Sequence, residues 1–322
     1  MIPTPVNQQS IQQAAELLSR GQLVAFPTET VYGLGADAAN PDAVAKIFAA
    51  KGRPANHPLI VHIADIAQLA DWAESVPDTA LRLAQAFWPG PLTLILNKKP
   101  NVPAIITGGQ NTIALRIPNN PVALQLLQAF GRGIAAPSAN RFGRISPTQA
   151  QHVADDLGDR VNFILDGGPC AVGLESTILD LSDDVPAILR PGRITRSQIK
   201  AVLKAEVQLS SQTKIRAPGM MAVHYAPHTM ALLCTQDTLI TMVDEQCANG
   251  KDIGILAFSQ AMFALPCRHL VTLPDVAEQY ETELYNALRE LDKQQLDMIL
   301  IEQPPDTELW AAVNDRLSKA TA

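Results

Sequence analysis

Lys51-Gly52-Arg53-Pro54-Ala55-Asn56-His57-Pro58-Leu59-Ile60-Val61-His62-Ile63 holds two cations, separated by one glycine, on a loop that runs straight into a continuous apolar stretch. A short apolar run bounded by turn residues reads as a strand buried on both faces, the kind found inside α/β sheets. Charge delivered at the mouth of such a strand adds little to stability and is well placed to meet a ligand. The stretch therefore predicts half of a phosphate site beside an α/β sheet. Taken alone, Lys51 and Arg53 fit a solvated loop better, because isolated surface cations are common. His62 alone fits a satisfied core histidine better than a ligand.

Working outward, Ile11, Ala14, Ala15, Leu17 and Leu18 are spaced for a helix over Gln8–Arg20, with Gly21 placed to end it. A strand over Leu23–Phe26 feeds the loop Pro27-Thr28-Glu29-Thr30-Val31-Tyr32-Gly33-Leu34-Gly35, where hydroxyls and glycines gather. Asn40 and Pro41 form an N-cap and first helical residue for a helix to Ala50, so the opening stretch lies between that helix and a strand over Leu59–Ile63. A helix over Asp78–Phe87 stops at Trp88-Pro89-Gly90-Pro91, before strands over Leu92–Leu96 and Thr112–Ile117 and a helix opened by Pro121. A strand over Ile134–Ala136 leads into a second polar loop, Pro137–Ser146, and further strands follow at Phe163–Leu165, Thr177–Leu181 and Ala187–Leu189, then a helix over Arg196–Lys204.

Residues 206–229 lose periodicity and read as a linker, although their Met, His and Tyr side chains are heavier than a passive spacer needs. Beyond it, strands at Met230–Cys234, Ile253–Phe258, His269–Thr272 and Met298–Ile301, with a helix over Val276–Leu291, predict a small α/β domain. The expected organisation is thus a first domain at 1–205, a linker or lid at 206–229 and a C-terminal domain at 230–322.

The 322 residues are 47% hydrophobic and 18% charged, ordinary for a soluble globular protein. Cys170, Cys234, Cys247 and Cys267 show no CxxC spacing and no secretory segment precedes them, so reduced structural thiols are expected. No apolar run reaches the roughly 18 residues of a membrane span, and the expectation is a cytoplasmic protein with no membrane partner. Residues 1–205 hold 17 Lys+Arg against 16 Asp+Glu, and residues 206–322 hold 8 against 16. The first part suits a local anion site, and the second repels polyanions.

Polar loops read as each following a strand recur in the first domain: Thr28/Thr30, Lys51/Arg53, Ser138/Asn140/Ser146, Ser176 and Arg190/Arg193. Strand ends gather along a sheet edge, where several cations and hydroxyls suit a nucleoside triphosphate. Gly33-Leu34-Gly35 lacks the Gly-Lys-Ser/Thr of a Walker loop, and nothing matches the dinucleotide fingerprint. Arg116, within Ile113-Ala114-Leu115-Arg116-Ile117, needs an anionic partner among apolar neighbours. His224 and His228 have metal-like spacing, but Pro227 spoils the helix that spacing presumes. Composition and spacing alone stop at a cytosolic α/β anion-binding protein.

At these residues the sequence resembles the YrdC-like threonylcarbamoyl-AMP synthases, in the long form with a linker and C-terminal domain. The resemblance runs through Pro27-Thr-Glu-Thr-Val-Tyr-Gly-Leu-Gly35, Lys51-x-Arg53 with Pro58-Leu-Ile-Val-His62, and Trp88-Pro-Gly-Pro-Leu-Thr93. It continues in Arg116-Ile-Pro118, Pro137-Ser-Ala-Asn140, Glu175-Ser-Thr177, Arg190-Pro-Gly192 and His224-Tyr-Ala-Pro227. It implies a twisted mixed sheet with a positively lined cleft, followed by a smaller Rossmann-like α/β domain. It also implies an enzyme, a nucleotidyltransferase joining L-threonine, bicarbonate or CO2, and ATP into threonylcarbamoyl-AMP with release of pyrophosphate. The product would pass to a tRNA-modifying transferase complex for threonylcarbamoyladenosine synthesis.

By the same resemblance Lys51, Arg53, Ser138 and Asn140 grip the ATP phosphates, with Lys51 and Arg53 as the catalytic cations. His57, where many relatives carry asparagine, is assigned to the nucleotide together with Thr112, Ser146, Arg190 and the lid residue Tyr225. Thr30, His62, Arg116, Ala136 and Ser176 line the threonine pocket. Mg2+ is expected on the phosphates, with few protein ligands. Two other classes stay open: a double-stranded RNA-binding module with weak RNA affinity, and a threonine-sensing regulator that consumes no ATP. Local cations favour the RNA module, while the acidic second part and the absence of aromatic stacking motifs disfavour it.

Overall fold

The computed structural model describes residues 1–209, 215–221, 223–265 and 267–322. Residues 210–214 and 222 of the expected linker lie outside the described residues. The chain divides into two compact units, the larger comprising Met1–Phe142 and Pro147–Met220, the smaller Gly143–Ser146 and Met221–Ala322.

In the larger unit the strands are β1 (Thr4–Pro5), β2 (Val24–Phe26), β3 (Gly33–Asp37), β4 (Ile60–His62), β5 (Leu92–Asn97) and β6 (Thr112–Arg116). They are followed by β7 (Ile134–Ala135), β8 (Phe163–Asp166), β9 (Thr177–Asp180), β10 (Ala187–Arg190) and β11 (Gln208–Leu209). All join one mixed sheet in the order β1-β8-β2-β3-β7-β4-β6-β5-β9-β10-β11. β4 runs parallel to β6 and β5 parallel to β9, whereas β4–β7, β5–β6 and β9–β10 are antiparallel.

Side-chain alternation along these strands decides what each face does. Leu59, Val61, Leu94, Leu96, Ile113, Leu115 and Leu179 belong to one apolar core with Ile47 and Leu83 of the helices Pro41–Lys51 and Asp78–Phe87. Val24, Phe26, Ile134, Phe163 and Leu165 form a second core with the helices Gln8–Ser19 and Pro121–Phe130. A third patch joins Ile60, Ile95, Ala114, Ile178 and Leu189 to Ile215, Ala217 and Met220, the start of the sequence linker. Two residues along from four members of that patch, on the same sheet face, come His62, Thr93, Arg116 and Ser176. Because β4 and β6 run opposite to β5 and β9, all four polar residues fall at one end of their strands.

Gly33-Leu34-Gly35, the end of the expected loop, instead opens the strand β3, paired with β2 and β7. The reason is steric: a Cβ on Gly35 would come within 2.9 Å of both Phe26 and Ile134, so glycine is what lets those side chains pack against the strand. The placement of polar loops after strands also needs correction. Lys51 and Arg53 follow a helix and Ser176 precedes β9, because a mixed sheet brings strand starts and strand ends to one edge.

The smaller unit has four parallel strands, β12 (Ala231–Cys234), β13 (Ile253–Ala257), β14 (His269–Thr272) and β15 (Met298–Glu302), in the order β12-β15-β13-β14. Helices Gln236–Ala248 and Ala277–Asp292 supply crossovers, and Ala311–Ala320 follows the last strand. Its core gathers Leu239, Val243, Ile255, Met262 and Leu300. Among the described residues no helix is long and apolar enough to cross a membrane.

Candidate active site

Asn40 accepts backbone N–H bonds from Asp42 and Ala43, with Pro41 at the first turn, so the helix it opens ends at Lys51 and turns through Gly52 in the left-handed region (φ 65°). Lys51 is thereby pointed inward, 3% exposed. Its ammonium donates to the carbonyls of Ser138 and Asn140, each at 2.5 Å, and more distantly to Asn140 Oδ1 at 3.4 Å. Burial, and then the neighbouring Arg53, push its pKa well below the ordinary lysine range. An anion at this point would reverse that pressure and hold Lys51 charged.

Arg53 donates from Nη2 to the Pro58 carbonyl at 2.9 Å and lies over the Phe142 ring at 5.8 Å from its centroid. His57 meets the same ring edge-on at 5.4 Å. Burial, then Arg53 and Arg216, lower the His57 pKa, so this end of the unit carries an additional cation, Arg216. That arginine donates to the Gly108 carbonyl and was not singled out from sequence. Thr112 is at the start of β6, four residues before Arg116 and roughly 13 Å from it by the ordinary strand rise.

At the other end of the strands, His62 and Arg116 are direct register partners on β4 and β6. Arg116 donates from Nη1 to Thr30 Oγ1 at 2.9 Å and from Nε to the Gly90 carbonyl at 3.2 Å, and its Nη2 is ion-paired with Glu29 Oε1 at 2.7 Å. The anionic partner that a strand-borne arginine needs is therefore internal. Glu29 lies inside a stretch read for its hydroxyls, and only its company of buried residues could have flagged it. His62 is 3% exposed and packs edge-on against Phe26 at 6.0 Å. Burial and then Arg116 push its pKa down to about 3, so the ring is neutral at physiological pH. Ala136 lies nearer the start of β4, where its N–H donates to the Ile60 carbonyl, two residues along the strand from His62.

Ser176 and Arg190 meet across β9 and β10. Arg190 donates from Nε and Nη2 to the Ser176 carbonyl at 3.1 and 2.9 Å, from Nη2 to Ser176 Oγ at 3.2 Å, and from Nη1 to the Pro218 carbonyl at 3.1 Å. The Ser176 hydroxyl also bonds Thr93 Oγ1 at 2.7 Å, which gives Thr93 a part that sequence reasoning passed over. Three groupings thus emerge: Lys51, Arg53, His57, Ser138 and Asn140; Thr30, His62 and Arg116; and Ser176 with Arg190. The Trp88–Thr93 segment ties the last two together, since Gly90 accepts from Arg116 and Pro91 accepts the Thr177 N–H. Ser146 and Tyr225 fall in the smaller unit. There the Tyr225 ring sits between His224 (4.1 Å), Tyr285 (5.9 Å) and the Arg316 guanidinium (5.3 Å), on a backbone with φ of 65°.

A Sua5/YciO/YrdC family profile, described as telomere recombination, matches residues 16–192, and one described as the C-terminal domain of threonylcarbamoyl-AMP synthase matches residues 194–322. The chain belongs to the threonylcarbamoyl-AMP synthase family. Within that family it is 45% identical to the Bacillus subtilis threonylcarbamoyl-AMP synthase, covering 98% of this chain and 93% of the relative. It is 41% identical to the Pyrococcus abyssi enzyme, over 98% and 95% respectively. The crystal structure of P. abyssi Sua5 complexed with L-threonine superposes with a TM-score of 0.93 at 39% identity, covering 100% of this chain and 98% of that one. E. coli YciO matches 59% of the chain, with a TM-score of 0.52 at 27% identity. The mixed sheet and the whole-chain match agree with the YrdC-like fold expected for the synthase family.

Proposed function

We propose that this synthase-family protein condenses L-threonine, bicarbonate or CO2, and ATP into threonylcarbamoyl-AMP and pyrophosphate, and that the product serves threonylcarbamoyladenosine modification of tRNA. The observation that carries the reading is the set of four buried cations in the larger unit, Lys51, Arg53, Arg116 and Arg190, none more than 7% exposed. Lys51 and Arg53, with Ser138 and Asn140, are the triphosphate grip, and His57, Thr112 and Arg190 border the nucleotide. Ser146 and Tyr225 are assigned to the same nucleotide, Tyr225 as the lid contact. Arg116 takes the threonine carboxylate through its planar fork, with Thr30, His62, Ala136 and Ser176 around the amino acid. The first domain, residues 1–205, is the catalytic body with a positively lined cleft; 206–229 is the linker, whose stretch beyond Met220 carries the lid residue Tyr225, and 230–322 is the accessory domain.

The carbamate formed on the threonine amine is already an anionic nucleophile. Its oxygen attacks the α-phosphorus, the new O–P bond replaces the bond to pyrophosphate, and the leaving charge is received by the cations. The chain's work is therefore to orient two anions and neutralise charge, and a neutral His62 suits a pocket where no strong base is required. The carbonyl oxygens of Ser138 and Asn140 beside Lys51 are neutral oxygens of the kind that suits an Mg2+ carried mainly by phosphate oxygens. When bound, the ion would offset phosphate charge during attack.

Pyrophosphate release with and without threonine and bicarbonate tests the reading. Arg53→Ala should lower that rate at least a hundredfold, and a wild-type rate would remove Arg53 from the grip. Arg116→Ala should weaken threonine binding far more than ATP binding. An RNA-binding module or a threonine sensor would release no pyrophosphate in the same assay.

A further inference from the structure

The Arg116 guanidinium is held on three sides, by Glu29, Thr30 and the Gly90 carbonyl. Glu29 is only 5% exposed, and apart from its ion pair neither carboxylate oxygen takes a hydrogen bond among the described residues. A carboxylate can accept about four hydrogen bonds, and leaving most of that capacity unused in a buried place is costly. Chain neighbours fix its position: the Glu29 carbonyl accepts the Val172 N–H, and the Thr28 hydroxyl bonds both the Thr30 hydroxyl and the Val31 carbonyl.

We propose that Glu29 receives the ammonium group of the substrate amino acid, so that Glu29 and Arg116 together recognise an α-amino acid zwitterion. The inference rests on the reading of Arg116 as the carboxylate site. In an α-amino acid the ammonium and carboxylate hang from one carbon, close enough to lie head to tail against an ion pair of 2.7 Å. Each substrate charge then meets its opposite, and the buried site stays neutral overall. A ligand with only a carboxylate or only an amine would leave a net charge out of water, which is strongly unfavourable. The neighbouring titratable groups add no competing charge: His62 is held neutral, and burial and then Glu29 push the Cys170 thiol up, away from the thiolate.

The test compares L-threonine with (R)-3-hydroxybutyrate, which keeps the carboxylate and hydroxyl but lacks the amine, by calorimetry on the full chain. In Glu29→Gln the threonine Kd should rise about tenfold or more, while 3-hydroxybutyrate binds as well as before or better, because Arg116 has lost a competing carboxylate. Equal weakening of both ligands would mean that Glu29 only positions Arg116, and unchanged threonine affinity would mean that it sees no ammonium. Either result overturns the proposal. The mirror variant, Arg116→Met, should bind L-threonine methyl ester at least as well as threonine, since the free carboxylate would now face Glu29. Failure to bind the ester overturns the proposal from the other side. A wild-type protein that bound no threonine would instead refute the functional reading on which this rests.

Discussion

His62 should make the larger unit sensitive to acid in a way a non-titrating residue would not. Its imidazole is 3% exposed, with Nδ1 unbonded among the described residues, and its pKa is pushed down to about 3. In the unfolded chain the same ring titrates near the ordinary value of about 6.5. Above that value both states bind no proton and stability is at its full level. Below it the unfolded chain takes up a proton that the folded one refuses, so stability falls by about 1.4 kcal/mol per pH unit until the folded ring titrates near pH 3. Between pH 6.5 and 5 the loss is about 2 kcal/mol, several degrees of melting temperature for a unit this size. The experiment is thermal unfolding of wild type and His62→Gln from pH 7.5 to pH 5. It is followed by Trp72 and Trp88 fluorescence in a Trp310→Phe background, which keeps the signal in the larger unit. Other titrations are common to both proteins, so the difference isolates His62. Wild type should lose about 2 kcal/mol relative to His62→Gln across that range. Parallel curves would refute the account of a buried neutral ring.

Arg190→Lys should raise KM for ATP and lower the melting temperature together, because one ammonium cannot replace four donor contacts to Ser176 and Pro218. Steady-state kinetics with scanning calorimetry checks it. Gly192→Ala should disturb the same junction, since an added Cβ would lie 2.4 Å from the Thr177 nitrogen and 2.7 Å from the Ser176 carbonyl carbon; a loss of at least tenfold in kcat/KM for threonine is the expected reading. Gly35→Val should destabilise the larger unit by about 1–3 kcal/mol through overpacking against Phe26 and Ile134, measurable by urea unfolding.

Much of this was legible because strand alternation is a strict code. Arg116 and His62 stood out as polar residues in apolar runs, and both are direct neighbours on β4 and β6. Lys51 was legible through the Asn40–Pro41 cap that fixes where its helix starts and hence where it ends. β3 was hidden because Gly33 and Gly35 carry no side chain to signal a strand, and their value lies in what Phe26 and Ile134 do across from them. Glu29 was hidden for a different reason. Its role depends on an arginine 87 residues later in the chain, and no local pattern encodes that meeting. Thr93 was quoted within its motif, but its bond to Ser176 exists only because β5 and β9 lie side by side.

The third apolar patch bears on where the chain can be divided. Ile215, Ala217 and Met220 cover Ile60, Ile95, Ala114, Ile178 and Leu189, and Pro218 caps a donor of Arg190. A fragment ending at residue 205 would strip that cover and expose a strip of sheet two residues from His62 and Arg116. Cutting after Met220 leaves it intact. The segment that reads as a connector is therefore wall material for the larger unit up to Met220, and a shortened protein should be judged by whether it keeps that wall.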